Sequence, residues 1–189
     1  MSTILHLVGP GGAGKTSVGP LLGARLDWQF LDLDAEFMDI EGDIAQCIST
    51  HGYEGYARRN LSIYLELRQA ANVPTVLALS SGFLTYATDM DPRYAAVRRD
   101  IETNALTALL LPSFELERCV DVIVSRQLAR PYLAGNGARE EQRIRARFPL
   151  FVALQCTRFQ SDTSPMKLAA EIELFARKAL SMPASEEVR

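Results

Sequence analysis

The segment Gly9-Pro-Gly-Gly-Ala-Gly-Lys15-Thr16 restricts what this chain can be more than any other. It fits GxxxxGK[ST] in full. The apolar run Ile4 to Val8 precedes it, and Val18, Leu21, Leu22 and Leu26 follow at i, i+3, i+4 and i+8, one face of a helix. Glycines let consecutive backbone N–H groups turn inward around an anion, where a Cβ would obstruct the curve. A helix starting near Lys15 adds its positive end to the same place. Lys15 then reaches the β- and γ-phosphates of a nucleotide, and the Thr16 hydroxyl is placed to hold Mg²⁺. Gly11, Gly12, Ala13, Gly14, Lys15 and Thr16 are therefore expected to bind ATP. The alternative is a glycine-rich turn that matches by accident, at a rate on the order of once in a hundred chains of this size.

Four further apolar runs read as strands: Gln29 to Leu33, Thr75 to Leu79, Thr107 to Leu111 and Thr157 to Ser161, the last being the weakest. Runs such as Ile-Leu-His-Leu-Val lack polar alternation, as strands buried on both faces do. Helical spacing recurs at Tyr56, Asn60, Ile63, Tyr64, Leu67 and Ala71, again from Leu116 to Val124, and from Met166 to Leu180. Strands alternating with helices predict an α/β domain around a parallel sheet. With 189 residues the chain is expected to form one domain over 1–181, followed by a small, charged tail over 182–189.

Composition removes several classes. Twenty Lys and Arg against 23 Asp and Glu give a net charge of −3, which argues against a nucleic-acid binder. No apolar run has the length of a membrane helix, and the first residues lack a basic n-region, so a cytoplasmic protein is expected. Cys47, Cys119 and Cys156 are far apart, with no CxxC pair to suggest a disulfide framework or a zinc site. His6 lies inside the first strand and reads as a core or edge histidine. His51 has no partner at metal spacing.

No Asn-Lys pair exists to read guanine, and a motor or transporter ATPase would normally be larger, so the P-loop points to a small-molecule or nucleotide kinase. Phe30-Leu31-Asp32-Leu33-Asp34 then places two carboxylates at the end of the second strand, where ligands bind in open α/β sheets. One can hold Mg²⁺ and the other can accept a proton from an attacking hydroxyl. The alternative is a polar loop in which Asp34 caps the helix that follows.

These residues together resemble the shikimate kinases, members of the nucleoside-monophosphate-kinase-like P-loop family, over roughly Ile4 to Leu180. Phe30 to Asp34 is similar to the family's Asp-x-Asp motif, which implies Asp32 near the metal and Asp34 on the acceptor hydroxyl. Glu54 to Arg59 resembles its Glu-x-x-Phe-Arg segment, implying that Arg58 grips a carboxylate. Arg130-Pro131-Tyr132-Leu133 resembles the Arg-Pro-Leu-Leu of a lid, here about 127–142, placing Arg130 over the ATP phosphates. Arg147-Phe-Pro-Leu-Phe151 resembles Arg-x-Pro-Leu-Tyr, implying a second carboxylate-binding arginine. Asp162-Thr-Ser-Pro165 sits where the family has its adenine-contacting loop.

Guanidinium is permanently charged and matches a carboxylate bidentately, which suits Arg58 and Arg147 to an anionic acceptor. Arg139, Arg143 and Arg147 share a helix face at i, i+4 and i+8, with Glu140 and Glu141 nearby; Arg139 and Arg143 are read as surface ion pairs.

The sequence departs from the family in four places, one being Ala57, which replaces the aromatic before Arg58 although Tyr56 is adjacent. Leu79-Ser80-Ser81-Gly82 stands where the family carries Gly-Gly-Gly, leaving Ser81 and Gly82 as the expected acceptor contacts. Leu61 stands where the family usually has a Glu that holds the arginine, with Asn60 as the nearest stand-in. The stretch from Pro112 to Arg130 is about two residues longer than usual by the family's spacing, which leaves Arg126 as the candidate for the adenine-stacking arginine.

The resemblance implies a three-layer P-loop fold with a five-stranded parallel sheet of order 2-3-1-4-5. It implies a monomer that uses ATP and Mg²⁺ to phosphorylate a small hydroxylated acid, shikimate at its 3-hydroxyl. Asp34, Lys15 and Arg130 would be catalytic, and Thr16 and Asp32 would hold the metal. A gluconate- or nucleotide-type kinase and a nucleotide-binding regulatory homologue remain as alternatives.

Overall fold

The computed structural model describes residues 2–128 and 137–181. Arg130, the Arg130-to-Leu133 motif, the centre of the expected lid and the 182–189 tail lie outside the described residues. Five strands, β1 (Ile4–Val8), β2 (Gln29–Asp32), β3 (Thr75–Ala78), β4 (Thr107–Leu111) and β5 (Thr157–Gln160), form one parallel sheet of order β2-β3-β1-β4-β5. The five expected runs are all strands, three of them one residue shorter than read.

Period-two alternation sorts the central strands between two cores. Ile4, Val8, Leu77, Leu79, Leu109 and Leu111 face one side, and Leu5, Leu7, Val76, Ala78, Ala108 and Leu110 face the other. Helices α1 (Lys15–Leu26) and α7 (Pro165–Ser181) cover the second face with Val18, Leu22, Leu168 and Ile172. The first face lies under α2 (Leu33–Glu41), α3 (Ile44–Ala70), α4 (Tyr94–Thr103), α5 (Leu116–Leu128) and α6 (Gly137–Val152). Each fully buried leucine in these layers is worth about 1.5–3 kcal/mol relative to an exposed one. Edge strands β2 and β5 are more open, which is why β5 carries the weakest apolar signal. No helix among the described residues is long and apolar enough to cross a membrane.

Two helices go beyond the sequence reading. Helix α4 buries Tyr94, Val97 and Ile101 at i, i+3 and i+7, a periodicity diluted by three intervening charged residues. Helix α2 starts directly from β2, and its N-cap is Asp32 rather than Asp34: the Asp32 side chain accepts from the Asp34 N–H. Helix α3 is two helices joined at Gly52, whose φ of 72° breaks the regular ladder.

Candidate active site

The P-loop leaves β1 at its C-terminal end and enters α1 at Lys15. Gly9 has a φ of +145°, and a Cβ there would lie 2.3 Å from the Leu110 carbonyl oxygen, so no other residue fits this crossing. Helix α1 carries no side-chain cap at its N-cap, Gly14, which leaves its first N–H groups to an incoming anion. Lys15 is buried over the loop and donates from Nζ to the carbonyls of Gly9 at 2.6 Å and Pro10 at 3.1 Å.

Thr16 and Asp32, the expected metal residues, touch. The Thr16 hydroxyl donates to Asp32 Oδ2 at 2.9 Å, while Asp32 Oδ1 accepts from the Asp34 N–H at 3.0 Å. Among the described residues no group of three or more His, Cys, Asp or Glu could hold a metal ion by itself. A hydroxyl and one carboxylate, all hard oxygen donors, fit a small divalent cation that takes its other ligands from phosphates and water.

Asp34 opens onto a cavity of about 580 Å³, also lined by Ile44, Ile48, Tyr53, Tyr56, Ser81, Gly82, Arg139, Arg143 and Arg147. Burial pushes the Asp34 carboxyl above the usual carboxylate range. Hydrogen bonds from Ser80 and Tyr56 and the charge of Lys15 oppose that rise, while Asp32 adds to it. Arg147 donates to the Tyr53 hydroxyl at 2.7 Å, with its guanidinium 5.6 Å from the ring centre.

A second cavity of about 280 Å³ lies on the other side of the P-loop, between Gly12, Gly14, Arg126, Ser161, Thr163 and Pro165. Arg126 ties its walls together, donating to the carbonyls of Gly12 at 3.1 Å and Ser161 at 3.0 Å. The P-loop thus separates a nucleoside-sized groove from an acceptor-sized chamber containing a carboxylate and three arginines.

The sequence model of the shikimate kinase family matches residues 11–176. This chain belongs to the shikimate kinase family. It is similar to the shikimate kinase of Shewanella loihica, at 30% identity over 172 residues, covering 88% of this chain and 91% of that protein. A shorter match to the shikimate kinase of Psychromonas ingrahamii is 41% identical over 81 residues, 42% of this chain and 46% of that protein. Among solved structures, the shikimate kinase from Acinetobacter baumannii in complex with shikimate superimposes with a TM-score of 0.69 at 23% identity, covering 97% of both chains. The shikimate kinase from Bacteroides thetaiotaomicron gives 0.65 at 19% identity, covering 95% of this chain and 99% of that one. At those identities the structures attest the fold.

Measured against the shikimate kinase pattern, Asp34, Ser81, Gly82 and Arg147 all reach one chamber; Thr16 is bonded to Asp32, which caps Asp34, and Lys15 folds back on the P-loop carbonyls. Arg58 does not line it. Its guanidinium donates to the Met90 carbonyl at 2.6 Å and pairs with Glu54. Asn60 is no stand-in for the glutamate that would hold Arg58, because it is fully buried among Ser80, Tyr56 and Tyr86.

Arg143 makes the ion pair read from the sequence, with Glu140 at 2.5 Å, but it and Arg139 also line the chamber with Arg147, as their shared helix face could have signalled. Tyr53 and Tyr56 come from the α3 segment after the Gly52 break, and Tyr86 from a loop with no periodicity to mark it.

Proposed function

We propose that this chain transfers the γ-phosphoryl group of ATP to the 3-hydroxyl of shikimate, releasing ADP and shikimate 3-phosphate. Family membership makes it an ATP-dependent kinase. The observation that carries the residue roles is the bridging carboxylate of Asp32. One oxygen takes the Thr16 hydroxyl and the other the Asp34 N–H, so the metal-side pair and the proton acceptor are fixed to one another.

In this reading the P-loop amides from Gly11 to Thr16 cradle the phosphates, and Lys15 exchanges its carbonyl partners for phosphate oxygens. Thr16 and Asp32 hold Mg²⁺, which when bound offsets the charge on the β- and γ-phosphates. Asp34 orients the acceptor hydroxyl and takes its proton as the oxygen attacks phosphorus. Arg147, with Arg143 beside it on α6, takes the acceptor carboxylate, and Ser81 and Gly82 form the chamber wall against the ring. Arg58 joins them only after leaving the Met90 carbonyl. Arg126 and the 161–165 loop hold the adenosine. By likeness to the family, Arg130 from the 127–142 lid stabilises the transferring phosphoryl group, in a single domain over residues 1–181 acting as a cytoplasmic monomer.

The test is a coupled ADP-release assay with shikimate, quinate, gluconate and nucleoside monophosphates. Shikimate is expected to give the highest kcat/KM, and Asp34→Asn to lower its kcat about a hundredfold or more. Shikimate turnover no faster than acceptor-free ATP hydrolysis, beside robust turnover of another acceptor, overturns the assignment.

A further inference from the structure

Gly11 differs from the other glycines of the P-loop. Gly9, Gly12 and Gly14 have positive φ and Gly11 does not, so a side chain at position 11 is excluded by space and not by backbone. The amide of Gln127 fills that space. A Cβ at Gly11 would lie 2.5 Å from Gln127 Nε2, and one at Gly12 would lie 3.6 Å from its Cγ. Gln127 stands in the last turn of α5, beside the Arg126 that ties this helix to the loop, and only 6% of it is exposed. Its Oε1 is buried without a partner. A residue needed only to pack α5 against the loop would be apolar, because a buried amide with an empty acceptor costs stability. A polar group here answers to something the loop binds.

The surroundings of Gly11 show which part of a nucleotide that is. Ser81, on the chamber wall, has its Cβ 3.9 Å from where a Gly11 Cβ would be. A cavity of about 30 Å³ lies between Gly11 and Gln127 and shares Ser81, Arg143 and Arg147 with the acceptor chamber. The nucleoside groove begins on the other side, at Gly12 and Gly14. With a nucleoside in that groove, the phosphate that reaches Gly11 is the terminal one.

We infer that Gln127 is a further catalytic residue, whose Nε2 donates to a γ-phosphate oxygen of ATP above Gly11. This role rests on the phosphate-binding reading of the P-loop given above and is independent of which acceptor fills the chamber. A donor held in place by burial needs no reorganisation as charge builds on the phosphoryl oxygens. The small cavity has the room that one bridging water needs to reach Oε1.

The test compares nucleotides with and without the γ-phosphate, by titration calorimetry on the full chain with Mg²⁺ and no acceptor. Gln127→Met keeps the length and packing of the side chain and removes the amide. It is expected to raise the Kd of the β,γ-imido analogue of ATP about tenfold, while the Kd of ADP moves by less than about twofold. Gln127→Glu keeps the shape and sets a carboxylate against the phosphate, so it should weaken the analogue further, and by a larger factor than ADP. Equal factors for the two nucleotides mean that Gln127 merely supports the loop, and they overturn the inference. So does parental affinity for the analogue in both variants. Should Gln127→Met fail to fold, the isosteric Gln127→Glu carries the same comparison. A parent that binds both nucleotides but does not phosphorylate shikimate overturns the acceptor proposed above, and the comparison of nucleotides still decides the role of Gln127.

Discussion

Arg147 donates to the Tyr53 hydroxyl at 2.7 Å, and the pair lies directly against the Cα of Gly82. A Cβ at position 82 would meet Tyr53 Oη at 2.3 Å and Arg147 Nη2 at 3.1 Å, so the one glycine kept from the family's three is the one this pair requires. Tyr53→Phe removes the hydrogen bond and keeps the ring. It is expected to raise the acceptor KM about threefold to tenfold, the worth of one such bond, with the ATP KM unchanged. Gly82→Ala should raise it further by displacing both side chains. Steady-state kinetics with each substrate varied in turn checks this, and an unchanged acceptor KM in both variants would remove Arg147 from acceptor binding.

Lys15→Ala is expected to cut turnover at least about a hundredfold, because the lysine's charge has no substitute at the β- and γ-phosphates. Thr16→Ala frees Asp32 Oδ2 of its partner and should raise the Mg²⁺ concentration needed for half-maximal rate. Circular dichroism of both variants should match the parent. Full ADP production by Lys15→Ala would refute the kinase reading.

Arg126→Ala cuts the ties from α5 to Gly12 and Ser161 across the nucleoside groove. The ATP KM should rise several-fold, on the scale of two hydrogen bonds, with the acceptor KM unmoved. A rise in the acceptor KM instead would mean that Arg126 serves the other chamber.

His6 makes stability depend on pH. It is buried in β1, its Nε2 meets Tyr64 Oη at 3.1 Å and its Nδ1 has no partner. Burial, with the nearby charge of Arg68, pushes its pKa down from 6.5 to about 3. The folded protein therefore keeps His6 neutral over a range in which the unfolded chain takes up a proton. Stability should fall as pH drops from about 6.5 towards 3, by up to about 1.4 kcal/mol per pH unit from this group. Urea unfolding of the parent and His6→Gln between pH 7.5 and 4.5 measures the difference. Parallel curves would show that His6 takes up its proton equally in both states.

The strands and the phosphate loop were legible in the sequence because their signals are local. A run of apolar residues needs no partner to declare itself a buried strand, and the P-loop spacing is set by backbone geometry within eight residues. Asp32 and Asp34 were legible for the same reason, although their division of labour as helix cap and chamber carboxylate was not.

The acceptor chamber was decided by tertiary structure. Arg58 and Arg59 are neighbours in sequence, yet Arg58 is held by Met90, 32 residues later, and Arg59 by Glu41. A guanidinium takes whichever carbonyl or carboxylate the fold brings near, so its destination is written in no local pattern. Asn60 likewise shows as one more position on a helical face, and only the packing of α3 against the end of β3 and the Tyr86 loop makes it a donor to Ser80 and Tyr86. Sequence alone determined that this chain folds around a parallel sheet and grips a triphosphate, because those properties follow from periodicity and backbone. Which side chains face the acceptor chamber, and which hydroxyls Asn60 meets, came from the fold, because these contacts depend on partners far apart in the chain.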